Sequence, residues 1–164
     1  ILSDIGRDQI GNVASKAVKK FVLDGGGLLM IGGFASFAGH NLRGNYHNSE
    51  VEEVLPVICS STPDDVAVYR GFHPRPVNKY HPIMKGIPWN DFPVLVGYNV
   101  FLKEDATLLL EYSGDPILAV REVGKGRSAA FTSDCAPHWC GGLVDWPYYD
   151  EFWSRIVKCL AKGL

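Results

Sequence analysis

Between residues 8 and 23 the apolar positions Ile10, Val13, Ala14, Ala17, Val18, Phe21 and Val22 recur every three or four residues. That spacing draws one broad stripe along a helix. Lys16, Lys19 and Lys20 fall off the stripe and near its end, where positive charge suits the helix dipole. Gly25, Gly26 and Gly27 follow, and glycine readily takes the left-handed conformation that closes a helix. Leu28, Leu29, Met30 and Ile31 then form an unbroken apolar run. Such a run fits a strand covered on both faces, as in a parallel sheet. With residues 1–4 read as the end of a preceding strand, the pattern predicts a β-α-β unit with a right-handed crossover.

Past Ile31 the pattern loosens. Residues 32–48 are rich in Gly, Asn and His and read as a loop with one short helical turn. A second turn is predicted at 50–55, a short strand at 56–59 and an alternating strand at 65–70. Pro74, Pro76, Pro82 and Pro88 make 73–90 loop. Strands are predicted at 94–98, 106–112, 117–122 and 128–132, the last two joined by a glycine-rich hairpin turn at 123–127. A C-terminal helix over 148–161 carries Tyr148, Phe152, Ile156 and Leu160 on one face. Helices at both ends with apolar strands between them argue for an α/β sandwich, read as one domain over 1–164.

The chain's 164 residues, 46% hydrophobic and 21% charged, suit a globular domain that buries its own core. A net charge of −2 leaves no basic surplus for a phosphate backbone, so nucleic acid is not an expected partner. No apolar run approaches a membrane span. Cys59, Cys135, Cys140 and Cys159 do not read as a disulfide framework in a chain of this size, and no signal peptide opens it. The expectation is a reduced, cytoplasmic protein. Ile1 reads as mid-strand, which implies a sheet begun upstream.

In open α/β sheets ligands sit beyond the carboxyl ends of the strands. That rule selects Asp4 after the first strand, the turn Gly32, Gly33, Phe34 and Ser36 after the second, and Asp134, His138 and Trp139 after the last. Several of these stretches carry a resemblance. The string from Asp24 through Gly33 with Ser36 and Phe37, and Glu53 to Val57, are two of them. Gly97, Tyr98 and Asn99 form a third. The longest is Gly124 to Arg127 continuing through Asp134 and Ala136 to Trp139. Together they resemble a glutamine amidotransferase-like family of the class I superfamily. The resemblance implies a flavodoxin-like three-layer sandwich. Its sheet would be mostly parallel with a C-terminal hairpin, and the family's N-terminal β-α-β segment would lie outside these residues.

A working member of that superfamily places a cysteine on the sharp turn after a central strand, with a His and a carboxylate after a late one. The thiolate attacks an amide carbon, the imidazole carries the proton, and backbone N–H groups hold the oxyanion. Here the turn reads Gly32, Gly33, Phe34, with no cysteine. Three readings follow. In the first, the domain has lost glutaminase activity and binds a small polar metabolite through Asp4, Gly32, Gly33, Phe34 and Trp139. In the second, Ser36, Asp134 and His138 form a substitute catalytic set. The default for Ser36 is a helix N-cap or turn residue, and Asp134 then His138 inverts the usual order. In the third, the domain is a structural module whose aromatic C-terminal region, including Trp146, Tyr148 and Trp153, makes a homo-oligomer contact.

Cys135, His138 and Cys140 do not have a structural-zinc spacing, so no metal is expected. The glycine strings lie in the reverse order of a dinucleotide fingerprint and lack the P-loop pattern, so no cofactor is expected.

Overall fold

A computed structural model describes residues 1–99 and 101–163 of the chain. The chain enters on a two-residue strand, β1 (Leu2–Ser3), and passes through α1 (Arg7–Leu23) to β2 (Gly27–Ile31). The predicted β-α-β unit is therefore present, with β1 and β2 parallel. Short elements follow: α2 (Glu50–Val54), β3 (Val57–Ile58), β4 (Val66–Phe72) and β5 (Arg75–Pro76). Then come β6 (Leu95–Tyr98), β7 (Phe101–Leu102), β8 (Thr107–Tyr112), β9 (Asp115–Val123), β10 (Gly126–Phe131) and α3 (Tyr149–Leu160).

Six strands form the main sheet in the order β1-β2-β10-β9-β8-β5, with β3-β7 and β4-β6 as separate antiparallel pairs. The run at β2 is apolar throughout because both faces are covered. Leu29 and Ile31 point into one core with Phe131, Phe152 and Ile156. Leu28 and Met30 point into the other with Val22, Phe37, Val51 and Leu55. Helices therefore lie on both sides, α3 on the first and α1 with α2 on the second.

The sheet is mixed rather than mostly parallel. β1, β2 and β10 run parallel, while β9, β8 and β5 join antiparallel. The reason is local. β8 turns into β9 through Ser113 and Gly114, whose φ values are 54° and 93°. That two-residue left-handed turn can only join antiparallel neighbours. The β9–β10 hairpin matches the predicted one. β5 sits at the sheet edge, where its Pro76 removes no needed donor.

The first helix departs from the predicted stripe. Gly11 takes φ 74° and interrupts it, and Val13 and Phe21 are 86% and 59% exposed. Periodicity counts every apolar position, but only one flank of α1, through Ile10, Val18 and Val22, packs into the core. The C-terminal helix α3 buries Phe152, Ile156, Cys159 and Leu160, while Tyr148, predicted on the same face, caps it and is exposed. The aromatic C-terminal region packs into the core: Phe152 contacts Trp89, Phe92, Phe131, Trp146 and Trp153 edge to face. Among the described residues, no helix is long and apolar enough to cross a membrane.

Candidate functional site

The carboxyl ends of β1, β2 and β10 bring the three selected segments together. The Gly32 N–H donates both to Phe131 O (2.8 Å) and to Ser133 O (3.0 Å), which ties the turn after β2 to the loop after β10. The glycine-rich bend and the acid–imidazole loop therefore meet at one edge of the sheet.

The bend has no room for side chains. A Cβ on Gly32 would overlap the Thr132 carbonyl oxygen and come within 2.7 Å of Ser133 O. Gly33 has φ 141°, and a Cβ there would lie 2.6 Å from Asp4 Oδ1. Asp4 itself takes a left-handed φ of 45° and accepts the Ala35 N–H at 2.6 Å. A carboxylate of the chain thus fills the space beside the turn and uses a backbone donor that faces it.

Ser36 lies beneath the bend, 1% exposed. Its hydroxyl donates to Ile31 O (2.6 Å) and accepts the Asp4 N–H (3.1 Å). This is the bonding of a brace. Asp134 is buried and accepts the Ala136 N–H at 2.9 Å through one oxygen. Its other oxygen meets His138 Nδ1 at 2.9 Å. The acid therefore orients the ring, whose side chain is largely exposed.

Phe34 leaves the bend and heads a cleft of about 440 Å³. The cleft is lined by Phe34, His40, Asp65, Tyr69, His138 and Trp139, with Ala67 and Val96 between them. Trp139 lies over Gly97, where a Cβ would come within 2.6 Å of the indole. Its carbonyl accepts the Val96 N–H at 2.9 Å. The Phe34 ring stands 5.6 Å from the His40 ring, 6.3 Å from the His138 ring and 5.5 Å from the Trp139 ring. Of the residues selected from sequence, Phe34, His138 and Trp139 line the cleft directly. Asp134 holds His138 from behind, while Asp4, Gly32, Gly33 and Ser36 shape the turn beneath.

A second acid–imidazole pair was not selected from the sequence. His40 Nδ1 meets Asp65 Oδ2 at 3.0 Å, and the His40 ring, like that of His138, lies near Phe34. Asp64, next in chain, accepts the Ala38 N–H (3.0 Å), the Gly39 N–H (2.8 Å) and the Asn99 side-chain amide (2.8 Å). Burial raises its carboxyl above the ordinary 3.8, and the three donors work against that rise. Asp64 thus pins the turn that presents His40, and Asp65 holds the ring. The only sequence signal was a pair of adjacent acids opening the β4 strand, and it named no partner.

Other polar side chains act as braces. Tyr46 donates its hydroxyl to Ile5 O at 2.9 Å, and His73 Nδ1 lies 2.9 Å from Phe92 O. His81 accepts the Ile83 N–H. Among the described residues, no group of three His, Cys, Asp or Glu side chains is placed to hold a metal ion.

The cysteines differ sharply in environment. Burial pushes the Cys140 thiol up to about 12 and raises Cys59 and Cys159 as well. Cys135 is partly exposed beside Ser3, at 3.6 Å. A thiol held neutral does not attack disulfide reagents. Titration of the folded protein with an aromatic disulfide at pH 8 is expected to modify one thiol rapidly. Cys135→Ser should abolish that phase, and a second fast thiol would contradict the burial assigned to the others.

A glycine elbow after a central parallel strand, facing an Asp–His loop after a late one, defines an α/β domain of the glutamine amidotransferase-like kind. The chain belongs to the family described as "Putative glutamine amidotransferase", which matches residues 5–162. Among solved structures, it is similar to the cytoplasmic protein STM3548 from Salmonella typhimurium. Identity is 36% and the TM-score 0.90, over 97% of this chain and 70% of that one. The cytoplasmic protein STM1381 from Salmonella typhimurium LT2 gives 34% and 0.90 over the same shares, 97% and 70%. A β-galactosidase from Rahnella sp. R3, at 15% identity and TM-score 0.56, shares the fold over 90% of this chain and 21% of its own. No curated protein matches the chain.

Proposed function

We propose that this chain is a divergent glutamine amidotransferase-like domain without glutaminase activity, which binds a small polar metabolite in the cleft at the strand ends. The observation that carries this reading is the Asp4 carboxylate. It lies 2.6 Å from where a side chain at Gly33 would begin and already holds the Ala35 N–H. A glutamine amide would need that volume, and its oxyanion would need such a donor. The cytoplasmic names of the two Salmonella relatives support the same compartment for this chain. We further read the fold as flavodoxin-like, with a β-α-β segment completing the sheet beyond β1. The exposed flank of α1 and the greater length of those relatives support that reading.

The test is direct. Purified protein should release no ammonia from glutamine above buffer, while one member of a metabolite panel should raise the melting temperature. Saturation at about a hundredfold over Kd is worth about 2.7 kcal/mol, or a rise of about 5 °C or more. Ammonia release that disappears in His138→Ala would overturn the proposal. So would a panel of sugars, amino acids and nucleosides that leaves the melting temperature unmoved.

The Asp134–His138 bond favours a second reading, a hydrolase using Ser36, Asp134 and His138. The two committed bonds of the Ser36 hydroxyl weigh against it. Hydrolysis of nitrophenyl esters at equal rates by the wild type and His138→Ala would remove it.

A further inference from the structure

We infer that the cleft ligand is a neutral, polyhydroxylated ring: a sugar without a phosphate or carboxylate. This rests on the proposed binding role of the cleft and names its ligand class.

The first ground is charge. The cleft lining contains Asp65 and no lysine or arginine among the described residues. Asp134 stands directly behind His138. A phosphate or carboxylate would enter beside two acids and meet no permanent positive charge. Anion recognition ordinarily recruits arginine or lysine, so this lining selects against that class.

The second ground is the pair of imidazoles. Each has its Nδ1 within hydrogen-bond distance of a carboxylate, 3.0 Å for His40 and 2.9 Å for His138. That bond fixes ring orientation and leaves Nε2 as the free nitrogen of a partly exposed ring. A free Nε2 accepts when the ring is neutral and donates when it is protonated. A hydroxyl both donates and accepts, so it satisfies either state; an ammonium or an oxyanion satisfies one. Two oriented imidazoles, each near the Phe34 ring and both lining the cleft, therefore suit a ligand that carries more than one hydroxyl.

The third ground is the apolar surface. Phe34 and Trp139 meet edge to face at 5.5 Å, and Tyr69 on β4 supplies a third aromatic at the mouth, 96% exposed. A sugar ring has an apolar face of C–H groups with hydroxyls around its rim. It can cover an aromatic side chain while its rim reaches the imidazoles. The volume of about 440 Å³ falls within the range of metabolite pockets.

The experiment is ligand-observed NMR with titration of the purified protein. D-glucose, D-galactose and D-ribose are compared with glucose 6-phosphate, glutamine and adenosine. At least one neutral sugar should bind, and its phosphate should bind more weakly. Tyr69→Ala and His138→Ala should each weaken the sugar by about tenfold, the scale of one aromatic or polar contact. Tyr80→Ala, at an equally exposed tyrosine outside the cleft, should leave binding unchanged. Circular dichroism confirms that each variant is folded. Tighter binding of glucose 6-phosphate or glutamine, lost in His138→Ala, would overturn the sugar class and leave the cleft reading standing. Binding of adenosine alone would do the same in favour of a nucleoside. Failure of every ligand would overturn both.

Discussion

Gly32→Ala should cost about 4 kcal/mol, the upper range for an overpacked buried site. In a chain of this length that lowers the melting temperature by about 12 °C. The physical reason is that the added methyl would meet backbone. Thr132 O and Ser133 O stand where the Cβ must go, and neither can swing aside as a side-chain tip could. The Gly32 N–H is also bonded to Phe131 O and Ser133 O, so moving the turn breaks the join between β2 and β10. Gly33→Ala should cost less, about 2 kcal/mol: it adds the strain of a left-handed φ of 141°, but its steric obstacle is the Asp4 carboxylate, the end of a side chain. Asp4→Gly should recover much of that loss, since glycine also relieves the left-handed φ of 45° at position 4. The pair should therefore be non-additive in a double-mutant cycle, by denaturant melts of the four proteins. A Gly32→Ala variant within about 1 kcal/mol of wild type would sink the account, since surface substitutions show changes that small.

These expectations bear on whether a cysteine nucleophile fits the elbow. At position 32 no cysteine fits the backbone. At position 33 a cysteine fits only if Asp4 leaves, and then the Ala35 N–H is released too. Two glycines and an acid from different strands are thus matched to each other. The turn has its own hydrogen bonds, and placing a single sulfur there would not by itself make a glutaminase site.

The parts of this fold that could be read from sequence are those in which one physical constraint acts over a short span. Leu28 to Ile31 must be covered on both faces, so they announce a central strand. Phe152, Ile156 and Leu160 must face a core, so they announce a helix. The turn and the Asp–His loop could be placed together because strand direction dictates where carboxyl ends lie. The outer flank of α1 was misleading for the converse reason: its burial depends on how far the sheet extends past Ser3, and periodicity holds no such information. The second half of the cleft was hidden because His40 and Asp65 are 25 residues apart, on a loop and the approach to a strand. Nothing local to either says that they meet. Tyr69 was hidden in the same way, on a strand whose alternation predicts β structure and leaves open which face lines a cleft.

Asp64→Ala is expected to be the next most damaging change, at a residue that supports the cleft without lining it. The carboxylate accepts from Ala38, Gly39 and Asn99, and no other acceptor among the described residues takes those donors. Leaving three partly buried donors unpaired should cost about 3 kcal/mol and lower the melting temperature by about 9 °C. Asp64→Asn keeps one acceptor oxygen but turns an amide nitrogen toward a backbone N–H, so it should recover less than half of the loss. The effect has a defined pH dependence. Burial raises the carboxyl of the folded chain above 3.8, so the folded state binds that proton more tightly than the unfolded state. The resulting stabilisation is fully present below the unfolded value and is lost as pH rises through the raised one. The gap between wild type and Asp64→Ala should therefore be widest in acid and narrow toward neutrality. His40 gives an independent reading, because the Ala38–Gly39 turn that Asp64 holds delivers His40 to Asp65. Its imidazole resonances should shift in Asp64→Ala while those of His138, on its own Asp134, stay in place. Unmoved His40 resonances together with a melting temperature within about 2 °C of wild type, less than the shift of a single lost kcal/mol, would show that the Ala38–Gly39 turn stands without the carboxylate.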